Sequence, residues 1–362
     1  MPSAPRRHHY VTKAYLDGFL EPEETCLYCY GRKRFKPFLA APQNLANRRD
    51  YHSFRRKDGS LDFSLETLIE REFESPGIPV LRRLAIGKGS LHSSQRFALA
   101  SLIALQNVRV PYEREFMDRH YKEELLGYLR EMDEASLKLG GPVNAVDVAV
   151  NSSGETPKAD EWQTFRRKDI ESLLREKADD IDGFSRETFP QIARDVAVIY
   201  SRMKWTVYLT NGNSRFITTD CPVVTTFRNG PRPGAGIKDP DCEISFPLSS
   251  RALLRIKHDS WSVKDPEKKR SPWKRRKNFS RNSAIEVIQV DDNAVRLYNE
   301  CQVDRAYMWA FSGTIQDWLL TRMQNPSKGP KRVKAIVDSE SLLCSDGRPP
   351  QLRKRQFVVS AD

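Results

Sequence analysis

The chain has 362 residues, of which 39% are hydrophobic and 30% charged, and its formal charge is +12. That length can bury a large core and form two subdomains, and the composition is that of a soluble globular protein. No apolar run approaches the roughly 20 residues of a membrane span, and the start Met1–His9 has no apolar signal region. The positive balance favours acidic partners, nucleic acid first. Six scattered cysteines without an export signal imply reduced thiols and a cytoplasmic setting.

Val11, Tyr15, Leu16 and Phe19 recur at helical spacing, which predicts a short amphipathic helix over His8–Leu20 with His8 and His9 at or just before its first turn. Thr25–Tyr30 alternates as a strand, and Gly31–Arg34 reads as a turn into Phe35–Phe38, so a hairpin follows. Asp58–Gly59 is a turn signal. Ser64 is placed to cap a helix striped by Leu65, Leu68, Ile69 and Phe73, with Glu66 and Glu70 four apart beside the stripe and Pro76–Gly77 as its end. A second helical stretch covers Val80–Ile86. From about Ser94 to Val108, Phe97, Leu99, Ala100, Leu102, Ile103 and Leu105 cover most of a helix circumference, which predicts a central buried helix carrying Gln106 and leading to Arg109. A charged helix follows to about Leu139, then a polar linker over Asn151–Asp160, then a helical region Trp162–Ser201.

The pattern changes at Met203. Trp205–Leu209 reads as a strand, Asn211–Gly212–Asn213 as a hairpin turn, and Phe216–Thr219 as the return strand, extended by Thr225–Phe227. Ile244–Leu248 and Ala252–Ile256 are two more strands. Arg281–Glu300 reads as a short helix, a strand and a helix, and Ala306–Phe311 as a final strand. The tail beyond Gln324 is basic and polar, and is expected to be partly disordered. The expected fold is α+β, a helical N-terminal half packed on a mixed or mostly antiparallel C-terminal sheet. The expected divisions are 1–60 (short helix and hairpin), 61–202 (helical), 203–324 (β-rich) and 325–362 (tail).

Five stretches occur in a telling order: His9-Tyr10-Val11 with Tyr15-Leu16 and Phe19; Leu65-Glu66 with Ile69-Glu70; Leu105-Gln106 with Arg109-Val110-Pro111; Phe216-Ile217-Thr218-Thr219-Asp220-Cys221-Pro222-Val223; and Phe246-Pro247-Leu248-Ser249. Together they resemble the bacterial domain-of-unknown-function family 4238, over roughly residues 8–310. The family's pattern has a polar residue where Cys221 stands and a proline where Thr12 stands. The resemblance implies a bacterial, cytoplasmic setting and no reaction, so function rests on the residues.

His9, Glu70, Arg109 and Asp220 are the candidate catalytic residues. Imidazole and carboxylates suit a divalent metal ion that activates water, and a guanidinium fork suits phosphate. This would be a metal-dependent nuclease or phosphodiesterase. His8, Glu66 and Gln106 complete the polar set, which also reads as a buried structural network in which Arg109 pairs with Glu66 or Asp220. Asp220 stands where a β-branched strand meets proline, a position for a turn cap or a site residue. Cys26-Leu27-Tyr28-Cys29 lacks the second ligand pair of a zinc site, and Cys221 lacks a neighbouring histidine in sequence. No phosphate-cradling glycine loop and no nucleophile-elbow serine is present. Lys264–Arg281 is the nucleic-acid candidate. There Lys268, Lys269, Arg270, Lys274, Arg275, Arg276 and Lys277 surround Trp273, so cations can meet phosphates and an aromatic can meet a base. A non-catalytic nucleic-acid-binding protein using that segment is the alternative function.

Overall fold

The computed structural model describes residues 6–56, 58–120, 123, 146–149, 162–165, 181–228, 230, 236–258 and 282–325. The basic segment 264–281 and the tail beyond residue 325 lie outside the described residues. The chain forms two compact units, residues 1–110 with 192–362, and residues 111–191.

The first unit opens with strand β1 (Arg7–His9), helix α1 (Lys13–Leu16) and a 3-10 turn over Asp17–Phe19. His8 and His9 thus lie just ahead of the helix, in a strand. Hairpin strands β2 (Leu27–Gly31) and β3 (Phe38–Ala40) come next, followed by β4 (Asn47–Arg49), which pairs antiparallel with β1. β5 (Phe54–Arg55) and β6 (Leu61–Asp62) form a small hairpin around Gly59, whose φ of 82° belongs to the left-handed region.

Helix α2 (Ser64–Ile69) has Phe63 at its N-cap position and no side-chain cap from it; Ser64, the expected cap, is the first helical residue, and its N–H bonds Asp62 Oδ1 at 2.8 Å. Pro76–Gly77 does not end this helix. One π-helical turn, Glu70–Glu74, carries it into α3 (Ser75–Ala85), where Pro76 occupies the first turn and its missing N–H costs little. Gly77 lets α3 approach helix α4 (Ser93–Val108): a Cβ there would stand 2.7 Å from Leu102 Cβ. β7 (Ser90–His92) joins the two helices, so the start of α3 lies beside the end of α4. Leu99, Ala100, Leu102, Ile103 and Leu105 are fully buried as expected, whereas Phe97 is 42% exposed because a 16-residue helix still turns one edge to water.

In the second unit, 111–120 is helical, and β8 (Val146–Ala149) pairs antiparallel with β9 (Trp162–Phe165). The helical expectation fails at Trp162–Phe165, where Trp, Thr and Phe suit a strand. Helix α5 (Ile181–Arg202) ends in the first unit.

There the chain continues with β10 (Lys204–Thr210), β11 (Thr218–Thr219), β12 (Val224–Phe227), β13 (Cys242–Ser249), β14 (Ala252–Lys257), β15 (Asn282–Ala284) and β16 (Glu286–Val290). It closes with helix α6 (Asp292–Arg305), β17 (Trp309–Ser312) and helix α7 (Asp317–Gln324). One mixed sheet has the order β12-β13-β14-β10-β16, with only β10 and β16 parallel; a second has the order β11-β17-β2-β3. The register of β13 on β14 shifts between Pro247 and Ser249, where proline supplies no ladder donor.

The α+β class holds, and the arrangement differs at the N-terminal end. Among the described residues, 7–62 contain six short strands beside the short helix, and the expected hairpin β2–β3 joins the second sheet. The expected β10–β11 hairpin does not form. Ser214 N–H bonds Asp292 Oδ1 at 3.0 Å, and the chain leaves the first sheet for the second. Two amides on α6 complete the diversion: Asn299 accepts from Ile217 N–H at 3.0 Å and donates to Arg215 O at 2.8 Å, while Gln302 donates to Pro222 O at 2.9 Å. The short helix expected after Arg281 is β15, which pairs with β7.

Helix α6 serves two apolar cores. Val295 and Tyr298 pack with Tyr208 and Leu253 of the first sheet and with Phe216, and Val303 and Ala306 with Tyr30 and Ala310 of the second and with Ile217. A buried charge crosses the first core. Arg255 donates to Glu243 Oε2 at 2.5 Å and to Tyr208 Oη at 2.6 Å, and Tyr298 Oη donates to Glu243 Oε1 at 3.2 Å. Such a pair is tolerable inside only with this degree of hydrogen bonding.

Candidate functional site

The N-terminal strand runs into a buried polar cluster. Ala46 adopts φ 47°, an uncommon conformation for a residue with a Cβ, and its carbonyl receives the N–H groups of Tyr10 (2.9 Å) and Val11 (3.3 Å). This places Thr12 against Glu74, just before α3, and Arg109, at the end of α4. Arg109, the C-cap of α4, is 1% exposed. Its Nη1 donates to Glu74 Oε1 at 2.8 Å, and its Nη2 donates to Thr12 Oγ1. Thr12 Oγ1 in turn donates to Glu74 Oε1 at 2.8 Å. Gln106 turns its amide oxygen to the Thr12 N–H (3.3 Å) and Arg109 Nη2 (3.1 Å). Tyr51 Oη donates to the Arg109 carbonyl at 2.9 Å. The guanidinium therefore pairs with Glu74, not with Glu66 or Asp220.

His8 is fully buried; its Nδ1 accepts the His52 N–H at 2.9 Å, and the two rings stack with centroids 5.7 Å apart. His52 Nε2 stands 4.0 Å from Glu66 Oε2 and 3.4 Å from the His9 carbonyl. Among the described residues, buried atoms of this cluster without a hydrogen bond include His9 Nε2, Glu66 Oε2 and Arg109 Nε. Burial pushes the Glu66 carboxyl up to about 7, with Arg109 opposing and Glu74 and Glu70 adding to the rise. Burial lowers the His9 imidazole below its ordinary value, and the Arg109 charge lowers it further, against Glu74 and the carbonyls of Gln43 and Pro42. Glu70 is exposed and reaches this group only through its field on Glu66.

Asp220 stands in a different arrangement. Its Oδ1 accepts the Tyr307 N–H at 2.8 Å, and its Oδ2 accepts those of Met308 (2.7 Å) and Trp309 (3.0 Å). On the same turn, Arg32 gathers carbonyls: Nη2 donates to Val303 O (2.8 Å) and Ala306 O (2.6 Å), Nε to Tyr307 O (3.1 Å), and Nη1 to Met323 O (3.2 Å). A carboxylate thus collects the N–H groups and a guanidinium the C=O groups that helices α6 and α7 leave unpaired at their ends. Burial pushes Asp220 up to about 6, against the three N–H donors. Both of its oxygens are engaged by main chain, which makes it a clamp on the α6–β17 turn. Asp220 and the His9 segment are nonetheless neighbours, since burial first, and then the Asp220 charge, raise the Tyr10 phenol.

The structure therefore brings His8, His9, Glu66, Gln106 and Arg109 together, sets Glu70 at the solvent edge and gives Asp220 to the scaffold. Sequence reasoning passed over Thr12, Tyr51, His52 and Glu74. Glu74 continues the Glu66–Glu70 spacing within the predicted helix, a signal visible in the sequence. Among the described residues, no group of three or more His, Cys, Asp and Glu side chains is placed to hold a metal ion. Cys29 is buried, which pushes its thiol up to about 12, and Cys221 is buried with its N–H on Thr219 Oγ1. No described helix is long and apolar enough to cross a membrane.

A family profile described as protein of unknown function (DUF4238) matches residues 7–315, and the chain belongs to that family. No curated protein and no solved structure matches the chain.

Proposed function

We propose that this member of the family is a phosphodiesterase acting on nucleic acid, with His9 and Glu66 as its proton-transfer pair. What carries the reading is one buried cluster in which His9, Glu66 and Arg109 each keep an unused polar atom. Buried polar atoms are costly to leave unpaired, and the cost is recovered when a substrate supplies the partner. His9, biased toward its neutral form, takes a proton from the attacking water. Glu66, whose carboxyl titrates at about 7, gives its proton to the leaving oxygen as the P–O bond breaks. Arg109 Nε is the donor for a phosphoryl oxygen, while Glu74 and Thr12 hold the guanidinium in place.

Nucleic acid is the favoured phosphodiester because of the +12 charge and the nine Lys and Arg against two acids in residues 264–281. That same segment supports the second reading, binding without catalysis.

The test is cleavage of labelled single- and double-stranded DNA and RNA by the wild type, His9→Asn and Glu66→Gln, with Mg²⁺, with Mn²⁺ and with chelator. The expected outcome is cutting that survives chelation and falls at least about 100-fold in either variant. Cutting that requires the metal would restore the metal-dependent scheme with Glu70 or Asp220 as ligands. Salt-sensitive binding without cutting would leave the binding protein.

A further inference from the structure

The β2–β3 hairpin carries a feature that neither the polar cluster nor the core uses. Phe35, at its tip, is 89% exposed, the most exposed large hydrophobic side chain among the described residues. Its neighbours Lys33, Arg34 and Lys36 are also exposed. From Thr25 to Arg49 the chain has six Lys and Arg and no Asp or Glu, so the hairpin's own charges have one sign.

The tip is firmly mounted. Gly31 pairs with Trp309 across β2 and β17, and a Cβ on Gly31 would stand 2.6 Å from the Trp309 ring. The Arg34 N–H closes the turn on Gly31 O at 3.1 Å, and Gln324 Nε2 donates to Arg34 O at 2.9 Å. The Arg34 guanidinium lies 4.7 Å from the centre of the Phe38 ring and 5.8 Å from that of Trp309. Arg32, at the foot of the hairpin, is fixed by the carbonyls at the ends of α6 and α7. Phe35 is thus presented by a braced turn, which lowers the ordering cost of meeting a partner.

We propose that this hairpin tip docks single-stranded nucleic acid, with Phe35 stacking on an unpaired base and Lys33 and Lys36 meeting the phosphates beside it. An exposed aromatic between cations is the arrangement that grips a single strand without reading its sequence. A duplex hides its base faces and offers Phe35 nothing to stack on. The inference rests on nucleic acid being the partner, and it concerns binding, independent of the proton-transfer pair.

The experiment is fluorescence-anisotropy titration of the full chain with a labelled single-stranded oligonucleotide and its duplex, over a range of salt concentrations. Phe35→Ala is expected to weaken single-strand binding about tenfold, with the duplex unchanged and Phe35→Trp restoring the affinity. Lys33→Ala with Lys36→Ala is expected to flatten the slope of log K against log salt by about 1.4, or about 0.7 per phosphate. Unchanged affinity and slope in both variants, or no single-strand binding by the wild type, would overturn the proposal. So would loss of binding to phosphatidylserine vesicles in Phe35→Ala with oligonucleotide binding intact, which would assign the tip to lipid. Glu66→Gln is the control: lost cutting with retained binding separates the two readings, and either can fail alone.

Discussion

Asp220 and the His9–Glu66–Arg109 cluster are both polar groups sunk in apolar surroundings, and they differ in how fully they are bonded. Asp220 spends both oxygens on three main-chain N–H groups, while Arg32 takes the carbonyls of the same turn. The cluster around Arg109 leaves one polar atom unused on each of three residues. A carboxylate whose two oxygens are both bonded to main chain holds the chain, whereas a group with an unbonded atom can still bond a substrate. The residue that looks most like a catalytic acid in the sequence is, by this measure, the hinge pin of the scaffold.

The sharpest way to break that contrast is Asp220→Ala. Three buried donors would lose their acceptor, and the expected cost is about 3–5 kcal/mol in urea unfolding. An unfolding midpoint that does not move, together with lost activity, would return Asp220 to the site. Next comes Arg109→Met, which strands the Glu74 carboxylate and the Thr12 hydroxyl; the expected loss is about 2–4 kcal/mol. If Arg109→Met matches the wild type in the same measurement, the guanidinium is not the cluster's anchor.

A smaller effect lies in the pH dependence of stability. Glu66 has its carboxyl raised from 4.5 to about 7, so the folded state favours its neutral form. The stabilisation is complete below about pH 4.5 and is lost as pH rises through about 7. With its side chain one-third exposed, the change is about 1–2 kcal/mol. Glu66→Gln is expected to remove this component from unfolding curves collected between pH 4 and 8. A Gln variant with the same pH dependence as the wild type would place the titration elsewhere. The smallest expected change in stability is for His9→Asn, within about 1 kcal/mol, because its ring supports little of the packing. Its signature is kinetic: the acid limb of the pH–rate profile, set by His9, disappears, while the limb near 7, set by Glu66, remains.

Much of the fold is legible locally. The stripe of α4, the turn residues of the β2–β3 hairpin and the β13–β14 pair each follow from periodicity and turn chemistry within a short window. The errors share one physical origin. Asn211–Gly212–Asn213 reads as a hairpin turn, yet Asp292, Asn299 and Gln302 bond the chain beyond it and draw β11 to the other sheet. Pro76–Gly77 reads as a helix stop, yet a π turn supplies the missing register and Gly77 is there to admit Leu102.

The sequence by itself determined the α+β class, the buried helix ending at Arg109, the family, and the polar residue types from which a site could be made. It did so because propensity, amphipathic period and charge are properties of neighbouring residues. Only the tertiary structure decided which of those polar groups are already satisfied. Glu74 meets Arg109 across 35 residues and Tyr307 meets Asp220 across 87, and hydrogen bonds closed over such separations leave no periodic trace in the chain.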